Sequence, residues 1–241
     1  MNYKYLKGPV FSRRLGKSLG INIIMDKSCS FDCVYCEVGK TSDLTLIRQE
    51  YTPTHLIIKE LDDFLNKKPE LDYITFSSTG EPTLHSKINE IINFIKEKYS
   101  DYNIALLTNS SLLWKNSVRK DIINVDLIVP SLDAVSSEIF QKINKPNSNL
   151  EIDKIINGLI KLKKEFKGEI WLEIFIIPGL NDQSKELNKF ANLVKNLRPD
   201  KVQINSLDRP GTENWVKTLS KTRKKEIKSY FGNLKIDLEI L

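Results

Sequence analysis

Short apolar runs recur along this chain with segments at helical spacing between them, and that alternation limits the fold more than any other feature. The runs are INII at 21–24, YITF at 73–76, IALL at 104–107, LIVP at 127–130, IWLEIFII at 170–177 and VQI at 202–204. Helical stripes fall between them: Ile57, Ile58, Leu61 and Phe64; Ile88, Ile91, Ile92 and Ile95; Ile152, Ile155, Ile156 and Leu159; Leu187, Phe190, Ala191 and Val194. Strands that are apolar on both faces predict a parallel sheet covered by helices, an α/β fold. A last run, LKIDLEIL at 234–241, alternates and predicts an edge strand. At 241 residues and 40% hydrophobic, the chain suits one domain with a sizeable core. Its parts are an N-terminal arm over 1–20, a core over 21–207, and a C-terminal loop, helix and edge strand over 208–241. No apolar run approaches the ~18–20 residues that cross a membrane.

All three cysteines lie in the segment CSFDCVYC, as Cys29, Cys33 and Cys36, spaced C-x3-C-x2-C. A disulfide would leave one thiol over, and no secretory signal peptide points to an oxidising compartment. A redox pair of Cys33 and Cys36 leaves Cys29 unexplained. A structural zinc site needs a fourth ligand, and neither His55 nor His85 stands at the short spacing of zinc fingers or ribbons. Cysteines buried only as core would be scattered along the chain. A four-iron, four-sulfur cluster takes one cysteine per iron, so three thiolates would leave one iron open. Catalytic zinc keeps an open position in the same way.

With Tyr35 before the last cysteine, this motif resembles the signature of the radical S-adenosylmethionine (radical SAM) superfamily. The resemblance implies a partial (βα)6 TIM-like barrel, with a [4Fe-4S] cluster on Cys29, Cys33 and Cys36 as catalytic and metal-binding residues. It further implies SAM on the open iron, cleaved by one electron to methionine and a 5'-deoxyadenosyl radical that takes hydrogen from a substrate. Active sites of parallel barrels sit at the C-terminal ends of the strands, and the cysteines follow the first run. SSTGEPTLH follows the second run; its Gly80 and Glu81 resemble the superfamily's GGE segment, which holds the SAM amino group, with Thr79 in place of the first glycine. Asn109, after the third run, could hold the SAM carboxylate or ribose, or cap the next helix. Ser131 and Asp133 after the fourth run resemble a ribose-contacting pair; Asp133 could instead cap the helix starting near Ser136. Glu173 puts a carboxylate inside the fifth run, where it needs a counterion or a ligand. The segment 177–182 resembles the glycine-bearing stretch that backs the adenine, and Asn205 after the sixth run could reach adenine or substrate. Tyr35 joins these residues as a cofactor contact. His55 reads as a surface-helix residue, and His85 follows the SAM loop.

Several stretches, GPVFSRRLGKSLGIN, TGEPTLH, PSLDA and LDRPGT, resemble the small iron-sulfur proteins grouped with the wyosine tRNA synthetase branch. Wyosine synthetases carry further cysteines for a second cluster, which this chain lacks. Arg13 and Arg14 could clamp an anionic substrate group or brace the barrel bottom, and Arg209 could meet such a group at the barrel's open side. Net charge is +6 with lysines spread over the helical segments, which solvated helix faces largely explain and which also suits a polyanion such as RNA. The expected activity is therefore radical SAM chemistry on RNA, tRNA or another anionic molecule. An alternative is an activase that makes a glycyl radical on a partner protein, and a non-enzyme alternative is a zinc-binding module. Partners implied are a reductant such as flavodoxin or ferredoxin and no membrane, in a reducing cytoplasm.

Overall fold

The computed structural model describes residues 3–12, 14–232, 234 and 236–241. Ten strands and seven helices are formed among them. They run β1 (Leu6–Ser12), β2 (Gly16–Ile21), β3 (Ser28–Cys29), β4 (Asp43–Leu44), α1 (Thr54–Leu65), β5 (Tyr73–Phe76), α2 (Ile88–Lys98), β6 (Ile104–Thr108) and α3 (Asn116–Asp121). The chain continues with β7 (Leu127–Pro130), α4 (Ser137–Asn144), α5 (Ile152–Glu165), β8 (Glu169–Phe175), α6 (Ser184–Leu197), β9 (Lys201–Asn205), α7 (Lys221–Phe231) and β10 (Asp237–Ile240).

The main sheet has the order β1-β2-β5-β6-β7-β8-β9-β10. From β2 to β10 every pairing is parallel, and only β1 runs antiparallel, to β2. Because spatial order follows chain order without reversal, every crossover turns the same way and the sheet bends into a partial TIM-like barrel. A doubly wound sheet would reverse its order at a switch point.

Two apolar layers follow from the strands' two faces. Ile74, Phe76, Ile104, Leu106, Ile128, Leu172, Val202 and Ile204 share one core with the buried stripes of the helices, so these face outward. Leu15, Ala105, Leu127 and Val129 form a separate cluster with Tyr73, Leu107 and Trp171, the alternate residues of β5 to β8, which face the barrel interior. Leu15 comes from the β1–β2 turn, so that turn plugs the interior from below.

The first strand departs from the expected one. It is Gly16–Ile21, upstream of INII, and only Ile21 of that run is in it. Ile23 and Ile24 are buried, but in the loop that leaves the strand. The segment read as an arm thus holds a hairpin whose second strand belongs to the barrel. Its sequence GKSLGI hid it: Ser18 is inside, its hydroxyl 2.5 Å from that of Thr75 on β5.

Candidate active site

The long segment between β2 and α1 carries the cysteines over the C-terminal ends of the strands. It is pinned by the β3–β4 pairing and by the Thr45 N–H donating to the Cys29 carbonyl at 2.9 Å. A cavity of about 300 Å³ opens beneath it. Its walls bring together Cys29, Cys33, Cys36 and Tyr35 with Gly80 and Glu81 after β5, Asn109 after β6, Ser131 after β7 and Glu173 on β8.

Each cysteine sulfur accepts a hydrogen bond from a different part of the chain. The Asn109 amide donates to Cys29 Sγ at 3.4 Å, the Asn144 amide to Cys33 Sγ at 3.4 Å, and Lys27 Nζ to Cys36 Sγ at 3.1 Å. Burial, with the nearby Glu81 carboxylate, pushes the Cys29 thiol up to about 12. Burial and then the Asp133 charge push Cys33 well up as well. Such thiols become thiolates only beside strong positive charge. Among the described residues, no three His, Cys, Asp or Glu side chains gather closely enough for a single metal ion. The three sulfurs instead line one cavity wall, as a multi-iron group that takes one cysteine per iron requires. The donor set fits that group.

Gly80 is glycine because the cysteine loop presses on it: a Cβ there would lie 1.9 Å from the Ser28 carbonyl oxygen. The next N–H, of Glu81, donates to that same oxygen at 3.1 Å. Glu81 is only 3% exposed and accepts four bonds: from Thr83 N–H (3.0 Å), Thr83 Oγ1 (2.6 Å), Thr108 Oγ1 (2.6 Å) and Asn109 N–H (2.8 Å). Burial raises its carboxyl, and these four bonds oppose the rise. Glu81 therefore ties the loops after β5 and β6 together at the cavity wall. Asn109 also donates to Ser30 Oγ at 2.9 Å, and its side-chain oxygen accepts from Ser111 N–H at 3.0 Å.

Several residues sit differently from their expected roles. Asp133 does not line the cavity: it is 4% exposed and accepts from Tyr35 Oη (2.5 Å), Asn144 Nδ2 (2.8 Å) and the Phe175 N–H (3.0 Å). Nor does it cap α4, whose N-cap residue is Ser136; the N–H groups of Val135 and Ser136, just before the helix, are met instead by Glu186, at 2.8 Å and 3.0 Å. Tyr35 is held by Asp133 and stacks on Phe175, with ring centroids 3.8 Å apart. Glu173 is paired with Arg14, which reaches it from the hairpin turn inside the barrel, and also accepts from Ser131 Oγ at 3.3 Å. Arg14 is thus a brace within the barrel, while Arg13 lies outside the described residues. Asn205 is not on the cavity wall; its side-chain oxygen accepts from Ser206 N–H at 2.8 Å. In the segment 177–182, Asn181 bonds Ile177 N–H and the carbonyls of Asp133 and Phe175, so it fastens β8 to the end of β7. His85 is a core residue, with Nε2 2.9 Å from the Thr52 carbonyl and Nδ1 accepting from Lys87 N–H. His55 is exposed on α1.

The loop after β9 folds back onto the cysteine loop. Thr212 Oγ1 donates to the Cys36 carbonyl at 3.1 Å, and Glu213 N–H to that of Val34 at 2.9 Å. A Cβ on Gly211 would lie 2.7 Å from the Tyr35 backbone. Arg209 stands at this edge, 75% exposed, 3.6 Å from the Glu37 carboxylate. Asn144 and the contacts of this loop, whose LDRPGT stretch the resemblance had marked, were not signalled by motif spacing because they join segments distant in sequence, while Lys27 lies just outside the cysteine motif.

Known proteins are similar to this chain in sequence and in fold. A UPF0026 protein of Methanocaldococcus jannaschii is 40% identical over 212 residues, 87% of this chain and 65% of that protein. A Brachyspira hyodysenteriae protein named GTPase Obg is 38% identical over 238 residues, 98% of this chain and 35% of that protein. The chain thus spans about a third to two thirds of the length of these two relatives. A probable dual-specificity RNA methyltransferase RlmN of Oceanobacillus iheyensis is 25% identical over 195 residues, 77% of this chain and 54% of that protein. Among solved structures, a radical SAM methyltransferase from Sphaerobacter thermophilus has TM-score 0.67 at 16% identity, covering 93% of this chain and 66% of its own. TYW1 with a lysine-pyruvate adduct has TM-score 0.62 at 18% identity, covering 90% and 73%. A domain of pyruvate-formate lyase-activating enzyme from Bacteroides vulgatus has TM-score 0.54 at 19% identity, covering 69% and 97%. At these identities the structures speak for the fold alone. The radical SAM superfamily model matches residues 23–191, more than half of the chain and all of its cysteine loop, and this protein belongs to that superfamily.

Proposed function

We propose that this chain is a radical SAM enzyme, with a [4Fe-4S] cluster on Cys29, Cys33 and Cys36 and an anionic substrate, RNA being the class best supported. The observation that carries the reading is the single cavity walled by the three cysteines and by the strand-end residues Gly80, Glu81, Asn109 and Ser131. When bound, the cluster supplies one electron to SAM, whose cleavage gives methionine and a 5'-deoxyadenosyl radical able to take hydrogen from a substrate. The chain's own residues hold and orient. Glu81 fixes the loops after β5 and β6, Asp133 fixes Tyr35 in the cysteine loop, and Ser131 meets Glu173 at the cavity wall. Arg209, exposed beside Glu37, is the candidate contact for an anionic group of the substrate.

RNA is supported by the net charge of +6 and by the RNA methyltransferase among the relatives. The Brachyspira name does not carry a nucleotide-hydrolysing reading here. A phosphate-binding loop, G-x4-G-K-S/T, would need glycines where Val34 and Phe11 stand, five positions before Gly39 and Gly16. A protein substrate, as for an activase, is the second reading, favoured by exposed Val38, Ile47 and Trp215.

Anaerobically reconstituted protein should hold about four irons per chain and, with dithionite, convert SAM to 5'-deoxyadenosine and methionine. Cys33→Ala should lose both, and full iron content in that variant would overturn the cluster assignment. Mixed tRNA should bind with an affinity that falls steeply as salt rises. No binding even at low salt would leave the protein-substrate reading.

A further inference from the structure

Of the three donors that reach the cysteine sulfurs, the two amides are oriented by further bonds of their own. Asn144 places one amide proton on Asp133 Oδ2 at 2.8 Å, which fixes the NH2 group on that side and leaves its other proton for Cys33 Sγ at 3.4 Å. Asn109 is fixed likewise: its oxygen accepts from Ser111 N–H, one amide proton goes to Ser30 Oγ, and the other meets Cys29 Sγ. Turning either amide over would set oxygen against an acceptor or lose a bond. Lys27, half-buried on the cysteine loop and on the cavity wall, adds a full positive charge 3.1 Å from Cys36 Sγ. The donors come from three places in the fold: the loop after β2, the loop after β6 and the last residue of α4.

We propose that Lys27, Asn109 and Asn144 act as positioning residues that set the reduction potential of the cluster, with Lys27 the largest contributor. The proposal rests on the cluster assignment made above. One electron from a low-potential donor such as dithionite adds one negative charge to the cluster and its thiolates, with no bond made or broken. Donors aimed at the sulfurs favour the more negative, reduced state, and hydrogen bonds to sulfur are among the levers that set such potentials. A charged donor makes a hydrogen bond roughly twice as strong as a neutral one, which ranks Lys27 above the two amides. Asp133, through its hold on Asn144, belongs to this arrangement although it touches no sulfur.

The test is a redox titration of reconstituted protein without SAM, followed by the electron paramagnetic resonance signal of the reduced cluster, with iron counted in every sample. Iron in the wild type checks the cluster itself, so failure there is separate from failure here. Lys27→Met should keep its iron and lower the reduced-to-oxidised ratio at a fixed potential by about tenfold, which for a one-electron couple is about 59 mV. Lys27→Arg should restore most of that loss, and Asn144→Leu should shift the ratio in the same direction by less. An unchanged ratio in an iron-loaded Lys27→Met protein would overturn the proposal. Loss of iron in both Lys27→Met and Asn144→Leu would overturn it too, since the donors would then retain the cluster rather than set its potential.

Discussion

Glu81 stays above the ordinary carboxyl value of 4.5 despite four hydrogen bonds, because burial outweighs them. With the folded value raised, the native state binds this proton more tightly than the unfolded chain does. Its contribution to stability is therefore full below the ordinary value and is lost as pH rises through the folded one. Glu81→Gln removes the titration while keeping the shape. In cluster-free protein, the urea midpoint of this variant should fall less than that of the wild type as pH climbs from 4.5 toward neutrality. Parallel curves would mean that Glu81 does not carry the slope. At this scale the sequence was informative where chemistry is local: three cysteines within eight residues, or a glycine and a carboxylate after a strand. It was silent on the partners of Asp133, expected with Ser131 as a ribose-contacting pair. Ser131 does line the cavity, but the chain turns after it, and Asp133 meets Tyr35, Asn144 and Phe175 instead.

Elements were legible where one face alone decides their packing. On α2 the expected Ile88, Ile91, Ile92 and Ile95 are all fully buried. Ile92→Ala should cost ~2–5 kcal/mol, measured by urea unfolding, because the helix sits on a sheet that cannot collapse into the gap. On α1 the buried set is Thr54, Ile57, Leu61 and Leu65, and Phe64 turns instead to Tyr3, edge to face at 5.5 Å. That swap depends on the N-terminal segment lying alongside the helix, which no local pattern records. β2 was displaced from its apolar run for a similar reason: its inward Ser18 is satisfied by Thr75 on the neighbouring strand. The loop after β9 carries a clear element-scale test. Gly211→Val puts side-chain atoms against the Tyr35 backbone, where even a Cβ would be 2.7 Å away. Iron retained after reconstitution and desalting should fall well below the wild-type value while the α-helical circular dichroism is preserved. Full retention would mean that this loop does not brace the cysteine loop.

For the whole molecule the open question in a partial barrel is what fills it and what covers it. The sheet ends at β1 on one edge and β10 on the other, so the strands do not close the circle. Two pieces of irregular chain complete it. Above, the loop after β9 is hydrogen-bonded to the loop after β2, joining the two sides of the open sheet. Within, the β1–β2 turn inserts Leu15 among Ala105, Leu127 and Val129, and carries Arg14 to Glu173 on β8. The paired charges are 26% and 14% exposed, so each is partly desolvated and neither is cheap to leave alone. Arg14→Met should therefore destabilise the protein by about 1–3 kcal/mol, chiefly by stranding the Glu173 carboxylate. If the cost arises that way, adding Glu173→Gln should recover much of it, since the amide can still meet Ser131 without a charge to satisfy. A double variant at least as unstable as the sum of the two single ones would show instead that Arg14 works by packing under the cavity, with its partner's charge irrelevant.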